Sequence, residues 1–202
     1  MDVGSAIFYA PAIMSRIKLP ADKMPEAEVA LRLAFHLLGL PSSEGSASVA
    51  IDGAQVRIKQ RVIFPIREFL AESGWKQVKQ NRKGAWQGEY ERSGRRLIVH
   101  SKPGVGDVVV RVGGHRIFAE AKKGPLIKKP GSREYRALWT AIGQIVVEPS
   151  ITGSDILVVA VPNTPAFVRL ATEWRDRPLI VRTDIRFVLV GRDGDVQGLD
   201  LR

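Results

Sequence analysis

The chain has 202 residues, of which 45% are hydrophobic and 26% are charged, a composition typical of ordinary globular proteins and not of disordered or membrane-spanning ones. Cysteine is absent, which excludes disulfides and thiolate metal sites and is compatible with a reducing cytoplasm, where we expect the protein to reside. The first residues, MDVGSAIFYAPAIM, lack a basic segment, so a signal peptide is not expected. Lys and Arg number 31 against 21 Asp and Glu, a formal net charge of +10, and such an excess favours polyanionic partners, nucleic acid before a membrane surface.

The first third of the chain predicts a helix, a loop, a hairpin and a second helix. Residues 25–39 are apolar over most of a helical circumference. The stretch 42–48 (SSEGSAS) has the composition of a linker, and residues 48–59 alternate around an Asp-Gly turn, as a small hairpin does. The segment 65–74 begins with Pro and ends with Gly, which favours a helix. We therefore divide the chain into an accessory or dimerisation segment and a main domain, residues 1–60 and 61–202.

The rest of the chain alternates between strands and helices. Period-two patterns predict four successive strands over residues 86–92, 95–101, 106–112 and 115–122. Later patterns predict a helix capped by Ser132 and reaching Val147, a strand over 155–162, a helix starting at Thr164-Pro165, and strands over 179–182 and 185–191. The apolar run 155–162 is typical of a central strand that is buried on both faces. This order indicates an α/β domain with a mixed central sheet flanked by helices.

The hairpin in the middle of this sheet brings charged residues together. Gly113-Gly114 is a two-residue turn, and counting outward from it places Asp107 directly opposite Glu120. Lys122 lies two residues beyond Glu120 and projects from the same face. Two carboxylates that face each other across a strand pair repel, so this pair needs a neutralising partner.

Two partners are compatible with the pattern. Lys122 could neutralise the carboxylates and form a structural ion cluster. A divalent cation could do so instead, since Mg²⁺ takes hard oxygen ligands and is typically held by two carboxylates plus water and substrate phosphate. A metal beside a lysine in a basic protein indicates phosphodiester hydrolysis, because the cation lowers the pKa of a bound water.

The motif Gly106-Asp107, a hairpin, then Glu120-Ala121-Lys122 resembles the core motif of the PD-(D/E)XK nuclease superfamily, which has the restriction-endonuclease-like fold. The resemblance covers residues 65–162, where the order of elements is similar to the family's αβββαβ core with one extra strand. Gly106 stands where the motif has proline. The family implies a metal-dependent endonuclease acting on DNA.

That resemblance also implies a role for each matching residue. Asp107 and Glu120 would ligate Mg²⁺, for which Mn²⁺ substitutes, and Lys122 would assist the attacking water. The backbone carbonyl of Ala121 would be a further ligand. Family members often add a Gln or Tyr from the following helix and a Glu from the helix preceding the sheet, and the matching residues here are Gln144 and Glu72.

Clusters of basic residues surround the hairpin in sequence and predict contacts with the phosphate backbone. The residues are Lys76, Lys79, Arg82, Lys83, Arg95, Arg96, Lys123, Lys128, Lys129 and Arg133. DNA is favoured over RNA, and cutting two strands favours a homodimer, with a partner protein as the alternative. The competing hypotheses are an inactive nucleic-acid-binding module of nuclease-like fold that serves a larger complex, and a basic scaffold protein.

Overall fold

A computed structural model describes residues 17–59, 61–81, 85–127 and 133–200 of the chain. The helices are α1 (Glu26–Gly39), α2 (Gly53–Val56), α3 (Ile66–Glu72), α4 (Glu134–Val147), α5 (Pro165–Arg175) and α6 (Pro178–Thr183). The strands are β1 (Lys23–Met24), β2 (Ser43–Ala50), β3 (Arg57–Ile58), β4 (Arg61–Val62), β5 (Lys76–Gln80), β6 (Gly88–Arg92), β7 (Arg95–His100), β8 (Val108–Val112), β9 (His115–Ala121), β10 (Gly124–Pro125), β11 (Ile156–Pro162), β12 (Arg186–Val190) and β13 (Val196–Gln197).

Nine strands form one mixed sheet in the order β13-β12-β11-β9-β8-β2-β7-β6-β5. The pairs β9–β11, β11–β12 and β2–β7 are parallel, and the other pairs are antiparallel. Parallel neighbours need a crossover connection, which α4 supplies between β9 and β11 and α5 with α6 supplies between β11 and β12. The predicted α/β class with a mixed sheet flanked by helices is therefore confirmed.

The N-terminal part of the chain belongs to this sheet. The predicted linker 42–48 is wrong, because these residues open strand β2, which pairs with β7 on one side and β8 on the other. The predicted hairpin 48–59 is also wrong, since Asp52 caps α2 by accepting a hydrogen bond from the Ala54 N–H at 3.0 Å. The domain boundary that the sequence analysis placed at residue 60 thus separates β2 from β7 and β8, the two strands with which it pairs.

One further element differs from the sequence expectation. Residues 179–182 (LIVR) were predicted as a strand but lie in helix α6, with Pro178 in its first turn. Proline is well suited to the start of a helix because its fixed φ is helical and it has no N–H to satisfy. Only Ile180 of this helix is buried, while Leu179 and Val181 are exposed, which fits a one-sided helix better than a buried strand.

The helices form layers on the two faces of the sheet. Helix α1 packs on one face, in a core shared with alternate residues of β2, β8, β9 and β11. Helices α4 and α5 pack on the opposite face, over β9, β11 and β12. Within the described ranges, none of the helices has the length and apolarity that crossing a membrane requires.

Candidate active site

The central hairpin has the register that the sequence predicted. Val112 pairs with His115 and Val108 pairs with Ala119. The turn glycines Gly113 and Gly114 have φ values of 59° and 81°, the left-handed conformation that two-residue hairpin turns require. Asp107 precedes β8 by one residue and Glu120 lies near the end of β9, so the two carboxylates occupy adjacent strands at the same level.

Gly106 fixes the backbone that presents Asp107. Its φ is +75°, and a Cβ atom placed there would lie 2.7 Å from the Phe118 ring. Proline cannot adopt a positive φ. The glycine in place of the motif's proline is therefore required by the way this chain enters β8.

The three predicted charged side chains are in contact. Lys122 Nζ lies 3.1 Å from Glu120 Oε2 and 3.6 Å from Asp107 Oδ2. The same ammonium donates a hydrogen bond to the Ala121 carbonyl oxygen at 2.9 Å, and the Ala121 N–H donates to Asp107 Oδ2 at 2.8 Å. Glu120 and Lys122 are only 7% and 8% exposed. The side chains and the backbone of Ala121 thus form one polar cluster, buried except at Asp107, whose side chain is 22% exposed, and we call it the 107/120/122 cluster.

Burial strongly affects the protonation of the cluster. Burial first, and then the charge of Glu120, raise the pKa of Asp107 to about 7. Burial also raises the pKa of Glu120, although the charge of Lys122 and its hydrogen bond act to lower it. Burial acts to lower the pKa of Lys122, yet the nearby carboxylates, led by Asp107, outweigh it and raise that pKa.

The donor set of the cluster has the chemistry of a magnesium site. Two carboxyl groups and the Ala121 carbonyl are hard oxygen ligands, and a divalent cation would favour the ionised form of both carboxyl groups. Among the described residues, no group of three or more His, Cys, Asp or Glu side chains converges closely enough to hold a metal. Any metal here would keep several waters, as Mg²⁺ commonly does.

A third carboxylate, Glu26, acts on the cluster and was missed from the sequence. It lies in the first turn of α1, where its Oε1 accepts a hydrogen bond from Gln55 Nε2 at 2.7 Å. Its negative charge raises the pKa values of all three charged members of the cluster. Strand β2 pairs with β8 of the central hairpin, and the helix that precedes β2 is α1. The sequence did not indicate this because the composition of β2 had predicted a linker.

The two lower-ranked predicted site residues lie elsewhere. Glu72 is exposed on α3, which leads into β5 at the far edge of the sheet. Gln144 is exposed near the end of α4. It is ten residues, or about 15 Å of helix, beyond the start of α4. The structure brings neither residue into the contacts that define the cluster.

The predicted phosphate-contacting residues have different surroundings. Lys79 pairs with Glu89, Arg96 lies near Glu89 and Glu91, and Arg95 donates to the Ser43 carbonyl. Lys76, Lys123 and Arg133 are exposed, and Lys123 directly follows the cluster. The remaining four lie outside the described residues: Arg82, Lys83, Lys128 and Lys129.

Comparisons of the chain with protein-family models, curated proteins and solved structures find no match.

Proposed function

We propose that the protein is a Mg²⁺-dependent nuclease that hydrolyses phosphodiester bonds in DNA. The observation that supports this most is the 107/120/122 cluster, in which the buried side chains of Glu120 and Lys122 and the partly buried Asp107 meet at the ends of two adjacent strands. Burying such charges is costly and is seldom the best way to gain stability. Perturbed, coupled carboxyl groups of this kind are typical of functional sites.

The order of elements around the cluster supports the PD-(D/E)XK resemblance. The succession α1, β2, β8, β9, α4, β11 follows the family's αβββαβ order, and its four strands are neighbours in the sheet. In this assignment residues 51–106 are an insertion that adds β7, β6 and β5 to one side of the sheet. It replaces the earlier assignment of α3 as the first helix of the core.

The residues of the chain have distinct roles in this proposal. Asp107 and Glu120, with the Ala121 carbonyl, would hold Mg²⁺, which when bound lowers the pKa of a water and offsets negative charge on the phosphate. Lys122 is placed to orient the attacking water and to stabilise charge that develops on the phosphate oxygens. Glu26 adds negative charge that favours cation binding.

The proposal is tested by nicking of supercoiled plasmid DNA with Mg²⁺, Mn²⁺ or EDTA. We expect metal-dependent cleavage that Asp107→Ala and Lys122→Ala each reduce by roughly a hundredfold or more, because each removes charge stabilisation from the transition state. Asp176→Ala is a matched control, since Asp176 is an exposed carboxylate beyond the end of α5. Circular dichroism establishes that each variant is folded.

An inactive binding module is the second candidate. The observation that favours it is the position of Lys122 Nζ, which already pairs with both carboxyl groups and donates a hydrogen bond to the Ala121 carbonyl. Salt-sensitive binding of DNA or RNA without cleavage of either, at any metal concentration, would support this module and overturn the nuclease proposal.

A further inference from the structure

None of the described helices packs over β2, β7 and β8 on the face of the sheet that carries the 107/120/122 cluster. On each of these strands, buried residues alternate with exposed or half-buried ones. The buried set packs under α1. The exposed and half-buried residues project from the same face of the sheet as Asp107 and Glu120. They include Ser46, Ser48, Ile98, Val109 and Arg111.

Two arginines lie directly opposite each other on this open face. Arg111 pairs in register with Arg116 across β8 and β9, and like charges in this position repel. Arg116 is compensated, because its Nε donates to Asp155 Oδ1 at 2.9 Å. Arg111 is exposed, and no ion pair or hydrogen bond involves its guanidinium among the described residues. Of the two arginines, Arg111 is therefore the one without an anionic partner among the described residues.

A hydroxyl donor is available beside this pair. The Lys102 N–H donates to His100 Nδ1 at 3.1 Å, so Nδ1 carries no proton and the proton of the neutral ring is on Nε2. His100 Nε2 lies 2.8 Å from Ser48 Oγ, and this nitrogen is then the donor and the hydroxyl the acceptor. Burial and the charge of Lys102 lower the pKa of His100, which favours the neutral ring. The hydroxyl hydrogen of Ser48 is left to bond a ligand.

These groups line one shallow cavity of about 260 Å³. Ile98 and Val109 contribute apolar surface, and the charged lining consists of Arg111, Arg116 and one acidic residue, Glu44. With the Arg116–Asp155 ion pair counted, the two arginines are matched by two carboxylates, but no ion pair joins Glu44 to Arg111 among the described residues. The uncompensated charge is that of Arg111.

We propose that this cavity binds a backbone phosphate of the nucleic-acid strand whose cleavage we assign to the 107/120/122 cluster. Arg111 supplies the ion pair and Ser48 supplies a hydroxyl donor. Arg116 and Glu120 are four positions apart on β9, which is about 13 Å along the strand. The site therefore holds a phosphate of the same strand about 13 Å from the one that is cut, and the proposal rests on the proposed function only for that spacing.

The test measures binding apart from cleavage, in an Asp107→Asn background that lacks an intact metal site. Affinity for a fluorescein-labelled 20-base-pair duplex is measured by anisotropy across a series of salt concentrations. Adding Arg111→Ala is expected to weaken binding about tenfold and to reduce the slope of log K against log salt by about 0.9, because one phosphate contact is lost. Adding Ser48→Ala is expected to weaken binding about threefold with the slope unchanged.

Arg182→Ala is the matched control, since Arg182 is exposed on α6, which packs beside α5 near β12 and not over β2, β7 and β8. An Arg111→Ala slope equal to that of the Arg182→Ala control overturns the proposed phosphate site, whether or not the wild-type protein cleaves plasmid. A reduced slope together with an inactive wild-type protein supports the site and rejects only the nuclease activity.

Discussion

The two halves of the central sheet differ in how they are covered. Strands β11 and β12 are buried along nearly their whole length, with α1 below and α4 and α5 above. Strands β2, β7 and β6 are covered on one face only, and their second face carries Ser, Arg and Glu side chains. Parallel strands under two helical layers are expected to be apolar throughout. Strands β2 and β7 are also parallel to each other, but no described helix packs on their second face, so that face carries polar side chains.

The 107/120/122 cluster lies where these halves meet. Asp107 comes from the open side, at the start of β8, while Glu120 comes from β9, against which α4 packs. The covered half supplies rigid packing beneath the charged groups. The open half leaves the same face exposed beside the cluster, so the division of the sheet separates the packed core from the surface that is accessible to a ligand.

The largest expected contrast between the halves is in stability. Phe187 on β12 is 2% exposed, and its ring contacts the Trp174 ring edge-on, with 6.3 Å between the ring centroids. Phe187→Ala should therefore lower the free energy of unfolding by about 3–5 kcal/mol. Ile98 is half-buried on the open face of β7, so Ile98→Ala should cost about 1 kcal/mol. Urea denaturation measures both. Equal losses would mean that the open face is covered in solution.

A smaller effect on stability is expected at the seam, by which we mean the boundary between the two halves of the sheet beside the 107/120/122 cluster. Two glycines there, Gly106 and Gly104, can be compared directly. Both have a positive φ, of +75° and +70°, but only at Gly106 would a Cβ meet another residue, Phe118. Both alanine variants therefore incur the conformational cost of a positive φ, whereas the clash with Phe118 costs about 1–3 kcal/mol more in Gly106→Ala alone. Urea denaturation of Gly106→Ala and Gly104→Ala isolates that difference. We also expect only Gly106→Ala to reduce plasmid cleavage, since it displaces Asp107, and equal activities would contradict this.

Most of the covered half could be predicted from the sequence. The apolar run 155–162 and the Thr164-Pro165 helix start are strong local signals, and β11 and α5 lie where these signals placed them. The open half was harder because its outward residues are small and polar. Strand β2 alternates Ala47 and Val49 with Ser46 and Ser48, and a stretch of Ser and Gly has the same composition as a linker.

The contacts within the candidate site were predictable as far as they depend on strand register. A two-residue turn fixes which residues face each other, so the proximity of Asp107, Glu120 and Lys122 follows from the hairpin alone. Glu26 depends instead on how α1 packs across the sheet, which no local pattern specifies. The same is true of α4, which packs on the sheet through Leu138, Ala141 and Ile145 and leaves Gln144 exposed.

The smallest expected effect is a pH dependence that distinguishes carboxylates on the two sides of the seam. The folded-state pKa of Asp107 is about 7, against an ordinary value of 3.8, so the folded protein holds a proton that the unfolded chain has already lost at pH 5. The stability from this group is present at low pH and is lost as pH rises through 7. In EDTA, the free energy of unfolding of the wild type should therefore fall relative to Asp107→Asn between pH 5 and 8, by on the order of 1 kcal/mol.

Asp155 provides the control of opposite sign. Its hydrogen bond from Arg116 lowers its pKa to about 2, so its contribution is present above pH 4 and is lost only as pH falls toward 2. The difference between wild type and Asp155→Asn should accordingly stay constant from pH 5 to 8. Excess Mg²⁺ should reduce the pH dependence seen with Asp107, because a bound cation favours the ionised carboxylate. A pH dependence that Mg²⁺ leaves unchanged would mean that the cluster is an ion network and that Lys122 alone is its counter-charge.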